Sequence, residues 1–348
     1  MKTLALLNQS AGSANIQHAK NEISDALFRF DIEWVTCRNL KMLPSALAPK
    51  KISHYDRIII LGGDGTINRT LMAILSVNQD MHIKDLPPLV ICPSGTANDL
   101  ASNLGIPRST RQAARVAIEG DIFHHDVIEV IGENVKAITL TNGGFGIPAF
   151  AAQTANDLKS KLNQLKNTNH QPDSYLSQLI INSIIKKLRI GPEVYILSYL
   201  YSLINWDWEQ WGLELTWSHR KIITKSPIVL LNNHKTVGHF FKIAPFTRPN
   251  DGQFNVSSIP YASVIKQLIV FQRTLKGLQW DDSKFFSFET SELKVKKIKN
   301  AKKKLYYFGD GEILAENATE LEFKLLPKQL KICVPSKKET LRTVKNDL

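Results

Sequence analysis

Arg57-Ile-Ile-Ile-Leu-Gly-Gly-Asp-Gly-Thr66 decides how the first half of the chain is read. Ile58 to Leu61 is an unbroken apolar run rich in β-branched side chains, the pattern of a strand buried on both faces. Gly62, Gly63 and Gly65 follow as a turn without Cβ atoms, whose backbone can take left-handed angles and lie against a ligand. From Asn68 to Leu75 the apolar spacing is helical, so the turn opens onto a helix N-terminus, a place that favours phosphate. Within such a turn Asp64 needs a cation between itself and a phosphate, and Mg²⁺ with its waters suits that position. Taken alone, the same glycines also serve simply to join a strand to a helix.

Outward from this turn the same rhythm repeats. Strands are expected at Leu4 to Leu7, Glu33 to Thr36, Leu89 to Cys92 and Val127 to Ile131, with helices at Ala19 to Phe28, Ala97 to Leu104 and Thr110 to Glu119. Alternation of this kind is the signature of a parallel α/β sheet. Gly105 and Gly120 stand where C-terminal caps belong. Beyond about residue 130 the pattern changes to short strands and turns, at Ala137 to Thr141, Gln253 to Ser257, Ser291 to Ile298 and Glu320 to Leu325, so the second half reads as mostly β. Residues 156–191 are polar and read as an inserted excursion with a helix near Leu176 to Leu188, and residues 337–348 as a charged tail.

A second turn of the same type is Cys92-Pro-Ser-Gly-Thr-Ala-Asn-Asp99. Gly95 permits close approach, Thr96 supplies a hydroxyl, and Asn98 or Asp99 suits a helix cap. Two polar turns at the C-terminal ends of neighbouring parallel strands flank one crevice, where open α/β sheets bind their ligands. Asn8-Gln-Ser-Ala-Gly12 gives a third such turn.

Composition narrows the class. Two domains are expected from 348 residues, 43% of them hydrophobic. The three cysteines, Cys37, Cys92 and Cys333, form no metal or redox pair, and no disulfide framework is expected. The apolar start ends too soon at Asn8 for a signal peptide, and no apolar run reaches the ~20 residues that span a bilayer. The protein is therefore expected in the cytoplasm. A net charge of +12 suits nucleic acid, an anionic membrane or a phosphate-rich substrate alike. The nine histidines show no metal-binding spacing.

Gly62-Gly-Asp-Gly-Thr66 and Pro93-Ser-Gly-Thr-Ala-Asn-Asp99 together resemble the catalytic domain of the diacylglycerol kinase and sphingosine kinase family, above all its compact bacterial lipid kinases. Thr141-Asn-Gly-Gly-Phe-Gly146, Ala244-Pro-Phe-Thr-Arg-Pro-Asn-Asp-Gly252 and Asp310-Gly-Glu312 extend the likeness over roughly residues 1 to 335. The resemblance implies a Rossmann-like nucleotide-binding α/β domain, residues 1–130 with about 322–336, and a C-terminal β-sandwich, residues 131–321, with the active site in the cleft between them. It implies that Asn8, Gln9, Ser10, Ala11, Gly12, Thr36, Gly62, Gly63, Asp64, Gly65, Thr66, Ile67, Asn68 and Thr96 line ATP. Asp251 with the carbonyls of Phe254 and Val256 is similar to the family's Mg²⁺ site. Glu312 is similar to the proposed general base, with Asp310, Asp64, Asp99 and Asp126 around it. The implied activity is transfer of the γ-phosphate of ATP to a lipid hydroxyl, with diacylglycerol the first expectation and a sphingoid base, ceramide or phosphatidylglycerol the related ones. The implied partner is a lipid at an anionic membrane surface, on the inner face of the membrane, with a homodimer compatible and nucleic acid not expected.

The chain departs from the family's pattern at Gln9, where proline is usual, at Arg69, where glutamate is usual, and at Gly238-His-Phe240, a shortened glycine-rich stretch. Arg69 has two readings, a phosphate clamp or a solvent-facing side chain. An NAD kinase-like enzyme with a soluble acceptor and a catalytically weakened lipid-binding protein of the same fold stand as alternatives. Lys294 to Lys304 holds seven lysines in eleven positions and reads either as a solvated edge strand or as a membrane-facing patch. The aromatic run from Tyr195 to Trp217 reads as core, with a lipid-admitting cleft border as the alternative.

Overall fold

The computed structural model describes residues 1–8, 16–37, 39–95, 97–154, 202, 211–238, 241–259, 264–278, 285–298 and 305–336. Gln9 to Gly12, Thr96, His239, Phe240, the 156–191 excursion, Tyr195 to Tyr201, Trp206, Trp208, Lys299 to Lys304 and the 337–348 tail lie outside the described residues.

Four strands open the chain in parallel: β1 (Lys2–Asn8), β2 (Asp31–Cys37), β3 (Arg57–Gly62) and β4 (Leu89–Pro93), in the spatial order β2-β1-β3-β4. Leu4, Ile58, Ile59, Ile60, Leu89 and Val90 have no exposed surface, as expected of strands covered on both faces. Helices α1 (Ile16–Ala26), α2 (Leu43–Leu47), α3 (Asp64–Val77), α4 (Asp99–Asn103) and α5 (Thr110–Glu119) supply that cover. The start of α5 is fixed by Ser109, whose hydroxyl accepts from the Gln112 amide. Gly105 takes the left-handed φ of +70° expected of a C-terminal cap, but Gly120 does not. Gly120 is needed for a different reason: a Cβ there would collide with the Val334 carbonyl.

The long strands β5 (Asp121–Gly132) and β16 (Glu320–Val334) run antiparallel to each other and tie the two halves of the protein together. β16 extends well past the expected Leu325. Pro327 interrupts the ladder, Lys328 takes a φ of 54°, and pairing resumes at Leu330, so that Ile332 comes to lie beside Leu89 of β4. One ten-stranded sheet results, continued beyond β16 by β13 (Glu292–Lys297), β8 (Leu213–Trp217) and β9 (Arg220–Thr224), with β6 (Val135–Thr139) beside β5.

A second, six-stranded sheet has the order β12-β11-β10-β7-β14-β15, from Phe286–Thr290, Phe254–Ile259, Ile228–Asn232, Asn142–Gly146, Leu305–Gly309 and Glu312–Ala318 respectively. It packs on the far part of the first sheet through Phe145, Val229, Phe254 and Tyr307 from one side and Ile128, Leu215, Val295 and Phe323 from the other. Each such side chain contributes about 1.5–3 kcal/mol on burial, which makes this the core of a β-sandwich. The protein is thus an N-terminal α/β domain with a C-terminal β-sandwich, as the sequence indicates.

Two sequence expectations are corrected here. β13 is no edge strand: it lies between β16 and β8, and Lys294 pairs with Glu320 at 2.6 Å and Glu322 at 3.0 Å on the neighbouring strand. The mostly β reading of the second half also misses α6 (Val264–Lys276), whose Val, Ile and Phe content favours a strand locally. Trp211 and Trp217 are core: the Trp211 indole donates to the Ser226 carbonyl at 2.7 Å, and Trp217 stacks on Phe288.

Candidate active site

The two glycine turns meet. They end the adjacent parallel strands β3 and β4, and a Cβ on Gly95 would lie 2.6 Å from the Gly63 Cα, so the backbones touch where both residues lack side chains. Asn98 closes the second turn, donating to the Gly95 carbonyl at 2.8 Å and accepting from its amide at 2.9 Å, with its own φ at 53°. Asp64, half-buried, bridges the turns: its carboxylate accepts from the Asp99 and Leu100 amides, both at 2.9 Å. It therefore caps α4 from outside. Burial, with the neighbouring Asp99 charge, pushes the Asp64 carboxyl up to about 6 against the pull of those amides.

Asn8, at the end of β1, reaches the same place, its amide donating to the Thr66 hydroxyl at 3.3 Å. Thr36 stands one strand further out, level with Leu7. Ile67 and Asn68 turn inward instead. Ile67 joins the core, and the Asn68 amide donates to the Ile138 carbonyl at 2.7 Å and to Asp310 at 2.6 Å.

Asp310 and Gly311 form the turn of the β14–β15 hairpin, with φ values of 51° and 80° that suit a type I′ turn. Asp310 is buried, and its carboxylate also accepts from the Leu140 and Thr141 amides and the Thr141 hydroxyl at 2.7–2.9 Å. Desolvation still outweighs these donors and pushes its carboxyl up to about 6. The hairpin is thereby locked to α3 and to the β6–β7 connection.

That lock places Glu312 against the first glycine turn. A Cβ on Gly65 would lie 2.8 Å from Glu312 Oε1, and Glu312 Oε2 pairs with Arg69 at 2.6 Å. Of the two readings of Arg69, neither clamp nor solvent alone describes it: the half-exposed guanidinium holds Glu312 across the domain boundary. The remaining acids lie apart from this point. Asp99 accepts from the Gly238 amide at 2.9 Å, and Asp126 from the Gly252 amide at 2.8 Å and the Lys328 amide at 2.7 Å. Asp251 is exposed on the turn before β11, while the Phe254 and Val256 side chains are buried. Among the described residues no three His, Cys, Asp or Glu side chains converge as a metal site.

Sequence reasoning missed one pair. His125 and His234, 109 positions apart, stack with their Nε2 atoms 2.8 Å from each other, both buried. Such a contact requires at least one neutral ring. Desolvation brings His125 down to about 4 and His234 well below the ordinary histidine range. An unfolded chain takes up protons on these rings as pH falls below 6.5, while the folded chain resists. Their contribution to stability is thus full above pH 6.5 and lost as pH falls toward 4, whereas Asp64 and Asp310 act with the opposite sign. Denaturant titrations at pH 7 and pH 5 are expected to show wild type losing about 2 kcal/mol more than His125→Gln between those values. Equal losses would contradict this account.

Comparison with known proteins fits this geometry. Residues 2–130 match the diacylglycerol kinase catalytic domain, and residues 179–334 match the YegS C-terminal NAD kinase beta sandwich-like domain. The lipid kinase YegS of Escherichia coli K12 is 38% identical over 105 residues, 30% of this chain and 33% of that protein. The matched stretch thus spans about a third of the length of such curated relatives. Across nearly the whole fold, a solved diacylglycerol kinase of Bacillus anthracis str. Sterne superposes with a TM-score of 0.65 at 16% identity, covering 96% of each chain. Residues 2–130 are thus similar to the diacylglycerol kinase catalytic domain and residues 179–334 to a YegS-type C-terminal β-sandwich, the two in one chain.

Proposed function

We propose that this protein is an ATP-dependent lipid kinase that moves the γ-phosphate of ATP to a lipid hydroxyl, with diacylglycerol the first candidate acceptor. The observation that carries the reading is the position of Glu312, a carboxylate from the second domain set over Gly65 in the phosphate-type turn of the first. Phosphoryl transfer calls chiefly for positioning and charge neutralisation, with one carboxylate near the acceptor. At the start of α3 the Thr66 and Ile67 amides already donate to the Gly63 carbonyl, and the Gly65 amide ahead of them suits a phosphate oxygen. Glu312 would accept the proton of the attacking hydroxyl, and Arg69 would hold its second oxygen and so fix its direction. Asp64 and Asp310 keep the two turns and the hairpin in register.

Mg²⁺ fits the donor chemistry at Asp251, an exposed carboxylate followed by main-chain carbonyls at Phe254 and Val256, since hard oxygen donors suit that ion. When bound it would neutralise charge on the phosphates.

The nucleotide half of the proposal is tested at Gly95. Alanine there must push against the backbone of Gly63, and overpacking of this size costs roughly 1–3 kcal/mol, so Mg-ATP affinity in calorimetry is expected to fall about tenfold. Gly105→Ala, strained by its φ yet with open space around its Cβ, should lower stability and leave that affinity alone. The acceptor half is tested by offering labelled Mg-ATP with diacylglycerol, a sphingoid base, ceramide, phosphatidylglycerol and NAD in turn. Label in a lipid supports the reading; label in NAD alone would replace it with a soluble acceptor.

A further inference from the structure

Where β10 ends, Asn233-His-Lys-Thr-Val-Gly238 leaves the six-stranded sheet and crosses to the first domain. Its start is tied to the β6–β7 connection. The Asn233 main-chain amide donates to the Thr141 carbonyl at 2.8 Å, and its side chain to the Leu140 carbonyl at 2.8 Å and the Asp126 carbonyl at 3.0 Å. Asn142, buried at the head of β7, then holds the segment on both sides of Lys235. Its side-chain carbonyl accepts from the His234 amide at 3.3 Å, and its NH₂ group donates to the Thr236 carbonyl at 2.8 Å. Its main-chain carbonyl accepts from the Asp310 amide at 3.1 Å. One residue thus joins the crossing segment to the hairpin turn that carries Glu312.

The far end of the segment holds α4. The Thr236 hydroxyl donates to the Asn103 side-chain carbonyl at 3.1 Å, the Asn103 NH₂ group donates to the Asp99 carbonyl at 2.8 Å, and the Gly238 amide donates to the Asp99 carboxylate at 2.9 Å. The N-terminus of α4 is in turn capped by Asp64. A ring of contacts results, from Asp64 through α4, Thr236, Asn142 and Asp310 to Glu312, and back to Gly65 beside Asp64. Besides the Arg69–Glu312 pair, the second domain is therefore attached to α3 through Asp310 and Asn68 and to α4 through Thr236 and Asn103. A single attachment leaves rotation about itself free, whereas separate attachments to two helices set an angle.

We propose that Asn142 and Thr236 are positioning residues for phosphoryl transfer, which together hold the second domain at the angle that keeps Glu312 over Gly65. The proposal rests on the lipid-kinase reading, in which Glu312 receives the proton of the attacking hydroxyl. Reacting groups tolerate little error in placement, and a displacement of about 1 Å costs on the order of 100-fold in rate. A hydroxyl and a side-chain amide suit this task. Their hydrogen bonds are directional, and they bring no further charge beside the Asp99 and Asp310 carboxylates.

Thr236→Val tests the crossing, because it removes the hydroxyl and keeps the carbonyl that Asn142 meets. Single-turnover transfer to lipid is expected to fall roughly tenfold, with Mg-ATP affinity in calorimetry within about twofold of wild type and Tm little changed. Thr236→Ser should restore the rate. Asn103→Ala should slow transfer by a like factor, and the double variant no further, since the two side chains form one link. A distance measurement that needs no substrate accompanies these. Nitroxides are placed at Gln79→Cys, after α3, and Glu316→Cys, on β15, both exposed, in a chain whose native Cys37, Cys92 and Cys333 are buried. The interspin distribution is expected to be narrow in the otherwise unsubstituted chain and broader with Thr236→Val or Asn142→Ala. An unchanged distribution in both variants overturns the proposal, as does a loss confined to Mg-ATP affinity. If the distribution broadens while the unsubstituted chain labels no lipid, the hold of Thr236 and Asn142 on the hairpin stands and the lipid-kinase reading falls. If wild type and Thr236→Val label lipid equally, the reverse holds.

Discussion

Glu312→Gln is expected to slow phosphoryl transfer by a factor of about 10²–10⁴, the usual contribution of a general base, while Mg-ATP affinity stays within about twofold of wild type. Glutamine preserves the volume over Gly65 and an acceptor for Arg69, so the hairpin keeps its place. What it removes is the site that accepts the proton from the attacking hydroxyl. A loss confined to kcat is therefore the signature of the proposed role, and a loss confined to nucleotide binding would instead make Glu312 part of the phosphate cradle. Arg69→Gln supplies the companion measurement. It leaves Glu312 chemically intact but unheld, so a smaller fall in kcat is expected, partly recovered in Arg69→Lys.

Asp310→Ala should cost about 3–5 kcal/mol of stability, because four donors lose their acceptor in a place that water does not reach. The Asn68 amide, the Leu140 amide and both donors of Thr141 converge on this one carboxylate. Alanine at a φ of 51° adds backbone strain of about 1 kcal/mol. Asp310→Asn should fall between the two, since its NH₂ group must face donors that formerly met an oxygen. Equilibrium denaturation reads the difference directly. A change of under about 1 kcal/mol for alanine would show that the hairpin is held by its strand pairing alone. Activity should fall along with stability, because Glu312 sits one residue past the turn that Asp310 anchors.

The parts legible in the sequence are those set by short-range pattern. Ile58 to Leu61 and Leu89 to Cys92 read as buried parallel strands and are so, and Thr110 to Glu119 is a helix with the bounds read from its spacing. The two glycine turns were legible as a pair because each follows a buried strand. Roles set by long-range contact were not. Nothing within a few residues of Asp64 shows that its carboxylate caps α4, thirty-five positions away. Arg69 could be given no direction until Glu312, 243 positions later, was placed beside it. The Asp-Gly pair at 310–311 was legible as a turn and, by resemblance, as part of a site; the structure shows that the turn is what delivers Glu312. β16 was cut short at Leu325 because Pro327 removes a ladder donor, and only the irregularity at Lys328 lets pairing resume. α6 was lost because β-branched residues dominate its first half, while its docking against Lys242 favours the helix.

The most direct test is single-turnover transfer from γ-labelled Mg-ATP to diacylglycerol in mixed micelles, followed by separation of lipid from aqueous label. With the cleft built as described, label should move into the lipid fraction with wild type and stay in ATP with Glu312→Gln, both proteins binding the nucleotide alike. Lipid labelled equally by both proteins would contradict the placement of the chemistry at Glu312. Label released only as inorganic phosphate or into a soluble acceptor would contradict the lipid-kinase account itself.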